Sequence, residues 1–208
     1  MAKITMARSR FKIQRRLGVE LPGLGKAGAL ERRPYGPGQH GMKRKKLSDY
    51  AVRLMEKQKI VFHYGVREKQ LVNYVKKCKK MKDQAWVDSL IQTLESRLDC
   101  IVFRLNFAPS ILAARQMVTH GHVRVNGKKV DVPAATVKPG DKVTLAEKAY
   151  QSGNYLQAQA RARLVTPAFL KRDLEGGKEF GVVVSKPHPS DIPFEFNSQL
   201  LTEYYWKV

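Results

Sequence analysis

The sequence predicts an α+β fold with a basic, extended N-terminal arm, a small helical domain, and an inserted domain of two short helices packed on a small antiparallel sheet. Residues 1–46 are rich in glycine, proline and arginine and show little periodicity. Residues 47–93 repeat their apolar positions at helical spacing, whereas residues 94–145 change from helical spacing to the alternation that is typical of strands. These two changes of pattern separate the three parts of the predicted fold.

The N-terminal arm, residues 1–46, carries 13 basic and two acidic side chains and is interrupted by three prolines. Aromatic residues such as Phe11 and Tyr35 alternate with arginines in this segment. Planar rings beside guanidinium groups suit stacking on nucleic-acid bases and bridging between strands. We expect an extended arm that becomes ordered on a polyanionic partner, and the alternative is a solubilising tail.

Three helices are expected in the helical domain, residues 47–93. Ser48 is a good N-cap for the first helix, the second is expected over residues 67–80, and the third begins at Asp83. The C-terminal segment 186–208 is expected to pack back on these helices, because its last aromatic residues are too apolar to stay in solvent.

The inserted domain, residues 94–185, begins with an apolar stripe at helical spacing over residues 94–105. Arg97 and Arg104 lie off that stripe. Pro109 cannot continue a helix, so a new helix is expected after it.

Ser110 is a good N-cap for this second helix, residues 111–119, and Gly121 suits the left-handed conformation that ends it. Residues 122–125 then alternate as a strand, and Asn126-Gly127 is the strongest two-residue signal for a β-hairpin. The chain is expected to return as a strand over residues 128–130.

Three further elements are expected in the rest of the inserted domain. A turn at residues 138–141 leads to a strand at 142–145, an Ala- and Gln-rich stretch at 151–164 predicts a helix, and residues 182–184 predict a short strand.

The net charge favours a polyanionic partner. The chain of 208 residues has 39 lysine and arginine residues against 18 aspartate and glutamate residues, a formal charge of +21. Such a field suits nucleic acid or an acidic membrane surface. Most of the excess lies before residue 83, whereas residues 166–208 carry five basic and six acidic side chains.

The sequence has neither a run of about 18 apolar residues nor the apolar centre of a signal peptide. We therefore expect a soluble, intracellular protein.

No metal, cofactor or catalytic site is expected. The two cysteines, Cys78 and Cys100, lie at positions predicted to be on apolar faces of helices, where small buried thiols are common. A zinc site needs about four ligands at close spacing, which two distant cysteines do not supply. The glycine pattern of residues 23–28 follows a proline and lacks the strand and helix of a dinucleotide-binding unit. His120 and His122 resemble a metal pair, but alternate strand residues point to opposite faces. We find no arrangement typical of an enzyme.

The string ARQMVTHGHVRVNGKKV, residues 114–130, resembles the small RNA-binding domain of ribosomal proteins, pseudouridine synthases and bacterial tyrosyl-tRNA synthetases. The strings PGQHG, LSDY, EKQK, YGVREKQ and LESRLD and the closing FNSQLLTEYYWKV are similar, in the same order, to the bacterial-type family of small-subunit ribosomal protein four. Some members of this family carry a zinc-binding cysteine cluster in the N-terminal arm, and this arm contains no cysteine. The resemblance therefore implies a metal-free variant.

The resemblance implies a primary rRNA-binding and assembly protein at a multi-helix junction in the 5′ domain of small-subunit rRNA. It also implies contact with small-subunit ribosomal protein five, a contribution to decoding accuracy, and a position beside the channel by which mRNA enters. The location would be the ribosome of the cytoplasm, with an organellar ribosome as the alternative.

Two groups of side chains are candidates for RNA contact. By resemblance, the second helix and the hairpin of the inserted domain dock on structured RNA, and the matching positions are Arg97, Arg104, Ser110, Arg115, Gln116, His120, His122, Arg124 and Lys128. The arm and the first predicted helix supply Arg8, Arg10, Arg15, Arg16, Arg32, Arg33, His40, Lys43, Arg44, Lys45, Lys46, Arg53 and Lys57.

The run of four positive charges at residues 43–46 has two interpretations. It is either a solvated linker before the Ser48 cap or a surface that contacts the phosphates of mRNA without reading its bases. Like charges at adjacent positions repel each other, which favours a polyanion beside them.

Two other classes of protein would also be basic. An RNA-modifying enzyme such as a pseudouridine synthase carries the same hairpin domain, but it adds a large catalytic domain for which this chain has no room. A DNA-binding regulator would more often show dimerisation heptads and a base-reading helix, whereas a Gly- and Arg-rich arm dominates here. Filter binding of folded rRNA fragments and duplex DNA at matched salt would separate these classes.

Overall fold

The computed structural model describes residues 9–25, 28–43, 46–81 and 84–206. Its fold is α+β, with a five-stranded antiparallel sheet, which confirms the predicted class. The chain forms two compact units, of which the first comprises Met1–Val87 and Ile192–Val208 and the second comprises Asp88–Asp191. The second unit thus begins before and ends after the range expected for the inserted domain, and the expected arm belongs to the same unit as the helices that follow it.

Ten α-helices and five strands lie in the described residues. The helices are α1 (Arg10–Leu17), α2 (Ala29–Arg32), α3 (Asp49–Tyr64), α4 (Glu68–Lys79), α5 (Trp86–Glu95), α6 (Leu98–Arg104), α7 (Ile111–Thr119), α8 (Glu147–Tyr150), α9 (Gly153–Ala160) and α10 (Ser198–Tyr204). The strands are β1 (Val123–Val125), β2 (Lys128–Lys129), β3 (Lys142–Leu145), β4 (Leu170–Glu175) and β5 (Lys178–Val183). In the part of the chain that the structure describes, no helix is long and apolar enough to cross a membrane.

Helix α1 corrects the expectation of an arm without regular structure. It ends at Gly18, whose φ of 69° is left-handed. The apolar side chains of α1 and of the turn after it form a buried cluster, onto which Met55 and Phe62 of α3 pack. The cluster consists of Ile13, Leu17, Leu21 and Leu24. Four apolar positions among many arginines were enough to fold this segment, although they did not stand out in the sequence.

Helices α3 and α4 lie where the first two helices after the arm were predicted. Ser48 caps α3, since its hydroxyl oxygen accepts a hydrogen bond from the Ala51 amide at 3.3 Å. Gly65 ends α3 with a left-handed φ of 59°. The predicted first and second helices are therefore correct in type and nearly correct in extent.

The C-terminal helix α10 packs on α3, as expected from its apolar composition. Tyr205 is 1 % exposed, and its ring meets the Trp86 ring edge-on, with 6.3 Å between the two ring centroids. Polar contacts fix the same helix, including an ion pair of 2.7 Å between Arg53 and Glu203. Trp206 was expected to pack inward as well, but it is 80 % exposed, because the buried face of the helix is already occupied by Leu201 and Tyr205.

The sheet of the second unit has the order β2-β1-β3-β5-β4, with all neighbours antiparallel. The hairpin of β4 and β5 was largely missed, because only residues 182–184 were predicted as a strand. Strand β4 reads LKRDLE, in which charged residues hide the alternation. Gly176 and Gly177 join the two strands with φ values of 56° and 74°.

One face of this sheet packs against the helices of the unit. Val123, Val143 and Val183 are buried on that face. At Gly181 the strand approaches α6 so closely that a Cβ atom would lie 2.3 Å from Leu105 Cδ1. Glycine is therefore the residue that allows the sheet and the end of α6 to meet.

The predicted two-residue turn between β1 and β2 is confirmed. Asn126 and Gly127 both have positive φ, at 50° and 80°, as a type I′ turn requires. The Asn126 side chain also ties the turn to the start of β3, because its Oδ1 accepts from the Lys142 amide at 2.8 Å and its Nδ2 donates to Asp141 at 2.7 Å. The tip of the hairpin is thus held by backbone conformation and by side-chain hydrogen bonds.

We predict that Gly127→Val lowers the free energy of unfolding by about 1–3 kcal/mol, because a β-branched side chain is strained at positive φ. Urea unfolding followed by circular dichroism measures the change. The matched control is Gly153→Val at the first position of α9, where φ is not positive and no described atom lies within 4 Å of a Cβ. Equal losses for the two variants would show that the turn does not require glycine.

Candidate nucleic-acid interface

Asp99 links the two helices on which the hairpin is built. Its carboxylate is 1 % exposed and accepts hydrogen bonds from Arg97 Nη2 and Arg115 Nη2, each at 2.7 Å. It also accepts from the Cys100 amide at 3.0 Å. Because Arg97 precedes α6 and Arg115 lies on α7, one buried anion holds both elements in place.

Arg104 forms a second buried ion pair. Its guanidinium donates to both oxygens of Glu95, at 2.5 and 2.9 Å, and to the carbonyl of Asp191 at 3.1 Å. Arg104 is 2 % exposed and Glu95 is fully buried. Burial raises the pKa of the neighbouring Cys100 thiol well above its ordinary value, and the negative charge of Glu95 raises it further. The thiol is therefore neutral and donates to Glu95 at 3.2 Å.

Arg97 and Arg104, two candidates for RNA contact that lie off the apolar stripe, are buried. Every residue of α6 is buried, so a position off the apolar stripe still faces protein. The two guanidinium groups neutralise the buried carboxylates of Asp99 and Glu95. Contact with an RNA phosphate would require these arginines to leave a buried anion without its partner.

Arg115 and Ser110 have structural roles on α7. Arg115 was a candidate for RNA contact, and its side chain is 28 % exposed, but its Nε and Nη2 both donate to the buried carboxylate of Asp99. Ser110 caps the helix by accepting from the Ala113 amide at 3.2 Å. Gln116, by contrast, is exposed.

The end of α7 and the hairpin present the exposed candidates of this unit. His120, Arg124 and Lys128 are exposed, and His122 is half-buried. The rings of His120 and His122 lie 6.1 Å apart, because His120 is the C-cap of α7 and the rule of strand alternation does not apply to it. Among the described residues, no group of three or more His, Cys, Asp and Glu side chains is placed to hold a metal ion.

Lys129 belongs to this surface but was not identified from the sequence. It is exposed and pairs across the hairpin with Arg124, so both side chains project from the same face of the sheet. Gly121, with φ of 72°, leaves room for the Lys129 side chain, since a Cβ there would lie 2.0 Å from Lys129 Cε. The Asn-Gly turn fixes this register, so the pairing was available from the sequence.

In the first unit, most of the candidate cations are exposed. The exposed ones are Arg10, Arg16, Arg32, Arg33, His40, Lys43 and Lys46. Arg15 is half-buried and donates to the carbonyls of Tyr35 and Gly36 at 2.9 and 3.0 Å. Arg8, Arg44 and Lys45 lie outside the described residues.

Lys57 and Arg53 are tied to other parts of the first unit. The Lys57 ammonium is buried and donates to Glu68 at 2.9 Å and to the Tyr204 hydroxyl at 3.3 Å. Its pKa is raised, because these two hydrogen bonds outweigh the effect of burial. The expectation that Lys57 faces RNA is therefore corrected, since its charge is engaged within the fold. Arg53 is half-exposed and paired with Glu203.

A helix–helix–hairpin unit with a cationic turn, next in sequence to a basic helical unit, defines a protein with an S4-type RNA-binding domain. Residues 96–143 match the S4 domain model, and residues 6–95 match that of the ribosomal protein S4/S9 N-terminal domain. The small ribosomal subunit protein uS4B of Bdellovibrio bacteriovorus is 53 % identical over 94 % of both chains. The uS4 protein of Staphylococcus carnosus is 42 % identical over 95 % of this chain and 96 % of its own. The chain belongs to the uS4 family of small ribosomal subunit proteins.

We predict that Arg104→Met destabilises the chain by about 3–5 kcal/mol, because Glu95 would remain as a buried, unpaired anion. The double variant Glu95→Leu with Arg104→Met removes both charges and should lose much less. Unfolding free energies from urea titration measure both.

The matched control for this ion pair is Arg53→Met, which breaks an exposed pair with Glu203 and should cost about 0–1 kcal/mol. If the double variant is less stable than Arg104→Met alone, the guanidinium does not act mainly by neutralising Glu95.

Proposed function

We propose that this protein is a primary rRNA-binding protein that nucleates assembly at a multi-helix junction in the 5′ domain of small-subunit rRNA. As a member of the uS4 family it is a structural constituent of the small ribosomal subunit. Its S4 domain supports rRNA binding, and the ribosome of the cytoplasm is the proposed location.

The observation that carries this proposal is the cationic face around the Asn126-Gly127 turn. Arg124, Lys128 and Lys129 are exposed there, on a hairpin whose backbone and side-chain hydrogen bonds fix its shape. A rigid hairpin loses little conformational freedom on binding, so more of the electrostatic attraction appears as affinity. Such a surface suits phosphate groups of structured RNA.

The exposed cations of the first unit support binding to more than one RNA segment. Arg10, Arg16, Arg32 and Arg33 are exposed, and guanidinium groups form paired hydrogen bonds with phosphate oxygens. Each of the two units therefore has its own cationic side chains. A protein with two such surfaces suits a junction at which several RNA helices meet.

We further propose contacts with small-subunit ribosomal protein five and with mRNA where it enters the subunit, and through them a contribution to decoding accuracy. Lys43 and Lys46 are exposed, which supports a phosphate surface at this run of charges. Contacts with phosphates carry no base preference, as a moving message requires.

We predict that Arg124→Gln together with Lys128→Gln weakens binding to a 5′-domain rRNA transcript and reduces the magnitude of the salt slope by roughly 1.4–1.8 in total, at 0.7–0.9 for each phosphate contact. Filter binding over a salt series measures the slope, and thermal unfolding checks that the fold is kept.

The control for this experiment is Lys148→Gln with Lys186→Gln, which removes the same charge from exposed positions outside the hairpin. If the two double variants lose affinity equally, the effect comes from net charge and not from the hairpin surface.

We predict that neutralising Lys43, Arg44 and Lys45 together leaves subunit assembly intact but slows translation through structured mRNA, because the phosphate contacts with the incoming strand would be lost. Ribosomes reconstituted with the triple variant would be compared on messages with and without hairpins. Failed assembly would assign the run to rRNA binding, and equal slowing on both messages would argue against contact with mRNA.

A further inference from the structure

The first unit contains a cavity of about 560 Å³ between α1, α3 and the loop of residues 36–43, which we call the arm cavity. Its apolar lining includes Leu17, which is 4 % exposed, and the half-buried Leu54 and Met55. Its charged lining includes Arg16, His40 and Lys43, all exposed. The burial of these residues gives the arm cavity an apolar interior and a cationic mouth.

The loop wall of the arm cavity is held in a fixed shape. Arg15 donates to the carbonyls of Tyr35 and Gly36, and its guanidinium stacks 5.0 Å from the Tyr35 ring centroid. Gly41 lies so close to Gly36 that a Cβ atom would be 1.9 Å from the Gly36 carbonyl oxygen. The wall is therefore built by contacts within the protein.

The lining of the arm cavity selects for a ligand that is anionic on one side and apolar on the other. None of the described residues that line it is Asp or Glu. A bare phosphate would use the cations but not the apolar interior, and an apolar side chain would use the interior but not the cations. Gln58 adds an amide, which donates and accepts hydrogen bonds as the edge of a nucleobase does.

We propose that the arm cavity takes one unstacked nucleotide of an RNA strand, with the base in the apolar interior beside Gln58 and its phosphate at Arg16 and His40. The inference rests on the proposed rRNA binding and assigns to it a site outside the S4 domain. A volume of about 560 Å³ lies within the ordinary range of about 300–1,000 Å³ for ligand sites. Recognition of splayed bases is common in RNA-binding proteins.

A neighbouring cavity gives the strand room to continue. It has a volume of about 430 Å³ and shares Arg16, Leu17, Pro37 and Gln58 with the arm cavity. Its lining adds Lys12 and Phe62, a cation and an aromatic ring that suit the phosphate and base of the next nucleotide.

A substitution that fills the arm cavity and leaves the charge of the protein unchanged tests this proposal. Ala51 is a half-buried lining residue of α3, and Ala51→Phe would occupy the place of the base. We expect about a tenfold loss of affinity for the 5′-domain transcript, the scale of one lost base contact, with an unchanged salt slope and melting temperature. The control is Asn73→Phe, which adds the same ring at an exposed position of α4 outside the cavity lining.

A second variant and a crosslink cover the case in which Ala51→Phe disturbs the fold. Gln58→Leu keeps the side-chain volume and should weaken binding by several-fold. Ultraviolet crosslinking of the wild-type complex, with 4-thiouridine in the transcript, should attach RNA to peptides that contain residues 9–18, 35–43 or 51–62. Wild-type affinity in folded Ala51→Phe or Gln58→Leu, or crosslinks confined to other peptides, would overturn the nucleotide site and leave rRNA binding standing. If the wild-type chain itself does not bind the 5′-domain transcript, the proposed function is wrong.

Discussion

The carboxylate of Asp99 fixes the geometry on which the RNA-binding unit depends. It is buried and accepts hydrogen bonds from arginines on two elements, Arg97 before α6 and Arg115 on α7. A buried carboxylate without these partners would be strongly destabilising, so the two helices can pack only in the arrangement that brings both arginines to it. Helix α7 then leads through Gly121 into the hairpin, and the direction of the hairpin follows from the position of α7.

This arrangement divides the basic residues of the chain into two groups. Arg97, Arg104 and Lys57 are buried and neutralise acids of the same unit, whereas Arg124 and Lys128 are exposed. Counterion release on RNA binding depends on the second group, because a buried charge that is already paired with an acid of the same unit is not available to a phosphate. The count of 39 lysine and arginine residues therefore overstates the number of phosphate contacts that the protein can make, whereas the net charge of +21 already subtracts the paired charges.

The sequence predicted the features that depend on neighbouring residues. It did not predict the burial of side chains whose partners are distant along the chain. The caps of α3 and α7 and the Asn126-Gly127 turn depend on neighbours within three or four residues, and they were identified. The partner of Arg104 is nine residues away and one partner of Asp99 is 16 away, so their burial needed the folded structure. Strand β4 was missed because its charged residues obscured the alternation. The exposed positions of His120, Arg124 and Lys128 agree with the candidate surface, but their contact with RNA remains a prediction.

The two units arrive at rigid cationic surfaces by different physical means. In the second unit, a type I′ turn and the Asn126 hydrogen bonds set the shape of the hairpin. In the first unit, the close approach of Gly36 and Gly41 and the Arg15 contacts with Tyr35 set the shape of the loop. In both, the contacts that set the backbone conformation are made within the protein. Binding then has less conformational entropy to overcome, and affinity depends on how well the fixed cations match the positions of phosphates. In the proposed binding of rRNA, a mismatch of RNA shape would therefore be penalised in both units, so that shape would contribute to specificity beside any contact with a base.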